Sequence, residues 1–210
     1  MELIRTYGNI IKKYAPDHPL AAFRMIKAGL ALEQFRSKHL ADKRMPGAYQ
    51  YLNTYAVGDV LESLKHPETS VWANIFAPVE LLQCFGLHSL SIESLSSFLS
   101  GFTIEDYFLD YAENEGLAST LCSYHKNFIG AIDSGIIPPA AFAVTTSTIC
   151  DGNINTFQHL SEKHQVPSFL IDIPQYNTPG AREYVTEQLN ELIAMLEDTF
   201  HKKFREEELV

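Results

Sequence analysis

The chain has 210 residues, 46% of them hydrophobic and 20% charged, with a formal net charge of -10. That composition suits one good core with a small helical appendage and argues against disorder. No Lys/Arg cluster marks a nucleic-acid face, and the acidity disfavours docking on anionic lipid, so neither nucleic acid nor a membrane is expected as a partner.

The first 19 residues read as a mixed amphipathic helix without the unbroken apolar stretch of a signal peptide. No apolar run is long enough to span a bilayer. Three cysteines without an export signal argue against a disulfide framework, and the expected location is cytoplasmic.

Residues 1–68 contain no convincing strand and read as a helical preface packed on the domain formed by the rest of the chain. Within it, residues 21–35 carry Ala22, Met25, Ile26 and Leu30 at helical spacing, with Asp17 as the expected cap and Pro19 near the first turn. Pro46-Gly47 interrupts the pattern, which resumes over 48–64.

From residue 69 the pattern alternates. Strands are expected at 71–76, 87–92, 141–146 and 167–173. Helices are expected at 78–85, 94–99, 104–111, 122–132, 153–163 and, as one long run, 180–205. Strands separated by helices imply an α/β fold: a mostly parallel sheet flanked by helices, Rossmann- or flavodoxin-like, over 69–210. The charged end of the last helix reads either as solvated or as a connector to a further domain.

Two cysteines stand out. Cys150, in Thr148-Ile149-Cys150-Asp151-Gly152, falls between an expected strand and helix, at the carboxyl edge where open α/β sheets bind ligands. Asp151 is the expected helix cap there, and Gly152 permits close approach. Cys122 opens the helix before that strand. A helix N-terminus favours the thiolate that binds metal. A lone cysteine in either place reads more simply as a small buried hydrophobe; two at equivalent helix starts make a shared metal or cluster site an even alternative. Cys84 reads as core. His125 and His88 are possible partners for a nucleophilic cysteine, although a hydrogen-bonded or solvated histidine is the plainer reading. No zinc-finger spacing, phosphate loop or nucleophile elbow is present.

Taken in order, Ala77-Pro78-Val79-Glu80-Leu81-Leu82, Leu121-Cys122-Ser123-Tyr124, Thr148 to Gly152, Val166 to Pro174 and the Tyr184–Glu197 helix resemble the 2-hydroxyacyl-CoA dehydratase and benzoyl-CoA reductase subunit family. The resemblance runs from about residue 70 onward. It implies a two-domain subunit of an anaerobic lyase or reductase acting on an acyl-CoA thioester. It also implies a [4Fe-4S] cluster at the domain junction, with Cys122 and Cys150 on two ligand positions and Ser123 and Asp151 around them. The partners implied are a second dehydratase-type subunit or a missing C-terminal domain, and an ATP-dependent iron–sulfur activator that supplies one low-potential electron.

The chain departs from that pattern. A third cysteine ligand is expected beyond its end, and a four-iron cluster normally needs at least three thiolates. Cys84 stands where the family has a small helix residue, and Trp72–Ala77 lacks the hydroxyl residue usual before Pro78. The leading expectation is therefore the N-terminal domain of such a subunit, inactive alone. A cluster-less scaffold subunit is the alternative, and a hydrolase using Cys122 and His125 a third.

Overall fold

Asn74 ends the first strand by turning the chain, and that turn helps to shape the crevice at the sheet's carboxyl edge. The structure is a computed structural model that describes residues 2–40, 42, 44–148 and 150–209. Ile149, inside the Cys150 stretch, lies outside the described residues.

Three helices come first: α1 (Glu2–Tyr14), α2 (Pro19–His39) and α3 (Gly47–Lys65). His18, not Asp17, occupies the cap position of α2, and its carbonyl accepts from Ala21 and Ala22; Pro19 is the first helical residue. Two glycines let the first two helices pack closely on Phe102. A Cβ on Gly8 would meet the Phe102 carbonyl at 2.1 Å, and one on Gly29 would meet the Phe102 ring at 2.9 Å.

Four strands follow: β1 (Ser70–Ala73), β2 (His88–Ser91), β3 (Phe142–Thr146) and β4 (Ser168–Ile171). They form one parallel sheet in the order β2-β1-β3-β4, with Trp72 opposite both Leu90 and Ala143. Between them run α4 (Val79–Gln83), α5 (Ile92–Gly101), α6 (Glu105–Asn114), α7 (Ser123–Asp133) and α8 (Asp151–His164), and α9 (Pro179–Phe200) closes the chain. This is the α/β architecture expected from the alternation, preceded by the helical segment.

The sheet is covered on both faces, as parallel sheets require. One face, with Trp72, Leu90 and Ala143, is buried under α1–α3 and α5–α8 in a core that includes Ile26, Leu64, Phe108, Phe128 and Phe157. The other, with Val71, Ala73, Phe142 and Val144, packs under α4 and α9 through Leu82, Leu192 and Leu196.

The strands are shorter than their apolar runs, because a backbone turn or side-chain bonds take over their ends. After β1 the Ala77 amide donates to the Asn74 carbonyl, leaving Ile75 and Phe76 exposed. Ser91 caps α5 by accepting from the Ser94 amide at 3.3 Å, so α5 begins at Ile92, before the expected start. After β4 the Asp172 amide donates to Gln188 Oε1 at 2.7 Å and the Ile173 amide to Ser147 Oγ at 2.7 Å.

The last helix also stops before 205. His201 adopts a left-handed conformation (φ 53°) and the tail folds back. Phe204 packs on Phe85 with ring centroids 5.7 Å apart, Lys202 Nζ donates to the Phe85 carbonyl at 2.7 Å, and Glu197 accepts from the Phe204 amide at 2.9 Å. No described helix is long and apolar enough to cross a membrane.

Candidate functional site at the carboxyl edge of the sheet

The strand order fixes where a site belongs. From β1 the chain moves outward to β2, then crosses back over β1 to β3 and continues to β4. The direction reverses between β1 and β3, so a crevice opens beyond their carboxyl ends, where doubly wound sheets bind ligands. Two loops lead to it: residues 74–78 after β1, and Ser147, Thr148 and Cys150 after β3.

The crevice floor is polar. Asn74 is fully buried and donates through Nδ2 to Thr146 Oγ1 at 3.0 Å, and Thr146 and Thr148 share a hydroxyl bond of 2.8 Å. Asn74 Oδ1 has no partner among the described residues. A buried polar atom left unpaired is costly, so Asn74 is a functional candidate that sequence reading missed. Its only sequence signal is a polar residue placed directly after a buried strand.

Helices α7 and α8 both run antiparallel to the strands they flank, so both N-termini reach this edge. Cys122 is the cap residue of α7 and is exposed; Cys150 is the cap residue of α8 and is half-buried. Neither cap is closed by a side-chain bond. Asp151, expected as the cap of α8, is instead its first helical residue, because the extended backbone that a cap needs falls on Cys150 (φ −147°, ψ 120°). Asp151 still places an anion in the first turn, where the helix dipole favours it. Ser123 is likewise the first residue of α7, and both are exposed.

His125 joins the two helices. It is buried, with Nδ1 3.0 Å from Thr156 Oγ1 and Nε2 3.8 Å from Cys150 Sγ. Burial pushes the imidazole down from its ordinary value, against a weaker upward pull from Glu93. Gly152 leaves this spot open: a Cβ there would lie 3.0 Å from His125 Nε2 and 3.1 Å from Cys150 Sγ. The Cys122–His125 pair weighed as a possibility is not among the described hydrogen bonds; the histidine's sulfur partner is Cys150, and the plainer reading of a hydrogen-bonded histidine describes it.

Cys84 belongs elsewhere. It is 1% exposed, donates to the Glu80 carbonyl at 3.3 Å and ends α4, whose exit feeds the amino end of β2. That is the opposite edge of the sheet, beneath the folded-back tail. Burial pushes its thiol up.

The donor set at the carboxyl edge is therefore two thiols and one imidazole. Among the described residues no group of three or more His, Cys, Asp and Glu is arranged to hold a metal ion. A four-iron cluster needs at least three thiolates, so these residues do not form a complete ligand set by themselves. Two thiols at the caps of neighbouring helices are compatible with a partial one.

The model of the family described as 2-hydroxyglutaryl-CoA dehydratase, D-component, matches residues 74–210, which covers the crevice and both cysteines. The chain is 25% identical over 142 residues to the (R)-2-hydroxyisocaproyl-CoA dehydratase alpha subunit of Clostridioides difficile. That alignment takes in 63% of this chain but 35% of the relative, so the chain spans about a third of the length of the curated relative it matches. The chain belongs to the 2-hydroxyglutaryl-CoA dehydratase D-component family.

Proposed function

We propose that this chain is the N-terminal, two-cysteine part of a 2-hydroxyacyl-CoA dehydratase-type subunit, contributing Cys122 and Cys150 to a [4Fe-4S] site completed by protein outside it. The observation that carries this reading is the placement of both cysteines at cap positions of neighbouring helices, at the switch-point edge of the sheet. The surroundings agree. Ile75, Phe76 and Tyr124 are exposed by 65%, 51% and 45% beside that edge, as apolar groups awaiting a covering surface would be. The division proposed is a helical preface over 1–68 and a cluster-type domain over 69–210 leading toward a second domain.

When bound, such a cluster would deliver an electron to an acyl-CoA thioester. This chain alone does not supply the ligands, so no step is assigned to its residues. The partners that this reading calls for are a second dehydratase-type subunit or C-terminal domain, an ATP-dependent iron–sulfur activator and an acyl-CoA.

A second reading is a cluster-less scaffold subunit of the same family. It is favoured by the absence of a third thiol among the described residues at this edge. Anaerobic iron and sulfide loading separates the two, with the chain alone and with a co-expressed dehydratase-type partner subunit. Iron bound in the complex, and lost in Cys122→Ala and Cys150→Ala, supports the first. A stable complex without iron supports the scaffold.

A further inference from the structure

His125 occupies a position that a second-row packing residue would not need. It is 5% exposed, lies in the first turn of α7, and directs both ring nitrogens at α8: Nδ1 to Thr156 Oγ1 at 3.0 Å, Nε2 to Cys150 Sγ at 3.8 Å. We propose that His125 is the positioning residue of Cys150: Thr156 donates its hydroxyl proton to Nδ1, which places the ring proton on Nε2, and Nε2–H donates to the Cys150 sulfur.

With Cys150 as a thiolate or a metal-bound sulfur, donor and acceptor counts decide the tautomer. A neutral imidazole has one donor and one acceptor, a threonine hydroxyl can serve as either, and a metal-binding sulfur only accepts. If the sulfur accepts from Nε2, then Nδ1 is bare and Thr156 must donate. Each member then has a partner. The alternative tautomer would aim a bare nitrogen at the sulfur. Gly152 protects the arrangement, since any Cβ at that position would press on both Nε2 and Sγ. Partners of this kind orient metal ligands, and hydrogen bonds to sulfur set the potential of iron–sulfur sites. The proposal rests on Cys150 being a sulfur ligand, and it adds the group that aims it.

The test compares His125→Met, which keeps bulk without a donor, His125→Gln, which restores an N–H, and Thr156→Val. The first measurement is made on the iron-free chain: alkylation of Cys150 by iodoacetamide at fixed pH, read by peptide mass, with Cys122 in the same molecule as the control. Loss of one hydrogen bond is expected to slow Cys150 about fivefold in His125→Met and Thr156→Val, with recovery in His125→Gln and no change at Cys122. Equal Cys150 rates in all four folded proteins would overturn the proposal. The second measurement is the midpoint potential of the iron-loaded complex, expected to fall in His125→Met and recover in His125→Gln. A wild-type complex without iron would overturn the ligand reading, while the alkylation pattern would still support the His125–Cys150 bond.

Discussion

Asp133 Oδ1 accepts from His164 Nε2 at 2.8 Å, and the same carboxylate takes His159 Nε2 and Lys163 Nζ, each at 2.9 Å, on Oδ2. Asp133 ends α7 and its side chain is 1% exposed, whereas its three partners all come from the second half of α8. This clamp and the His125–Thr156 bond hold the two helices at opposite ends, and so set how Cys122 and Cys150 are presented at the other edge.

Burial pushes the Asp133 carboxyl up, but the bonds from His159, His164 and Lys163 outweigh it, and the group sits below the usual carboxylate range. A carboxyl whose folded pKa is depressed contributes stability that is fully present above its unfolded pKa, about 3.9, and lost as pH falls through the folded value. Asp133→Asn is expected to cost about 1–3 kcal/mol near neutral pH, because three donors lose their shared carboxylate acceptor and Lys163 loses its nearest opposite charge. Urea unfolding of wild type and variant between neutral and strongly acid pH checks this. The gap between them should narrow on acidification, and parallel curves would show that the clamp carries no pH-linked stability.

Gly130 tests the packing of α7 on α6. A Cβ there would lie 2.1 Å from the Phe108 carbonyl oxygen, a backbone atom that cannot swing away. Gly130→Ala should therefore destabilise by about 1–3 kcal/mol through forced separation of the helices. Gly101, at the end of α5, has nothing within 4 Å of the same built atom, and Gly101→Ala should cost nothing. Thermal unfolding followed through the buried Trp72 distinguishes the pair.

The sheet was legible because its strands are short apolar runs punctuated by helical spacing, and Val71, Trp72, Phe142 and Val144 are fully buried as that pattern implies. The element ends were not legible. A backbone turn at Asn74 ends β1, and Ser91, Ser147 and Gln188 end strands through side-chain bonds; periodicity registers neither. The tail after Phe200 has helix-forming charges, yet one left-handed residue at His201 and the pull of Phe85 on Phe204 override them. Cys122 and Cys150 were legible as helix starts. The pairing of Cys150 with His125 was not, since it joins residues 25 apart through a contact between two helices.

The three cysteines should react in a fixed order. Cys122 is exposed, Cys150 half-buried and Cys84 buried, with the Cys84 thiol pushed up by burial and donated to the Glu80 carbonyl. Thiol reagents on the native chain should modify Cys122 first and Cys84 last, the latter only as the protein opens. Cys84→Ala should leave iron loading of the complex unchanged. A loss of iron in that variant would mean that Cys84 reaches the site and that the opposite-edge placement is wrong.

Gly152→Ala separates the fold from the site. Gly152 lies in the first turn of α8 with an ordinary helical backbone, so alanine there is gained in helix propensity, by up to about 1 kcal/mol. Against that, the added carbon meets His125 Nε2 at 3.0 Å and Cys150 Sγ at 3.1 Å, both side-chain atoms that shift by tenths of an ångström at small cost. The two terms nearly cancel, and stability should stay within about 1 kcal/mol of wild type. What changes is the room in front of the sulfur. Cys150 alkylation should slow and iron loading of the complex should drop, while Cys122 reacts as before. A folded Gly152→Ala protein that loads iron normally would show that nothing approaches Cys150 from that side, and ligation would then have to come from the solvent side of α8.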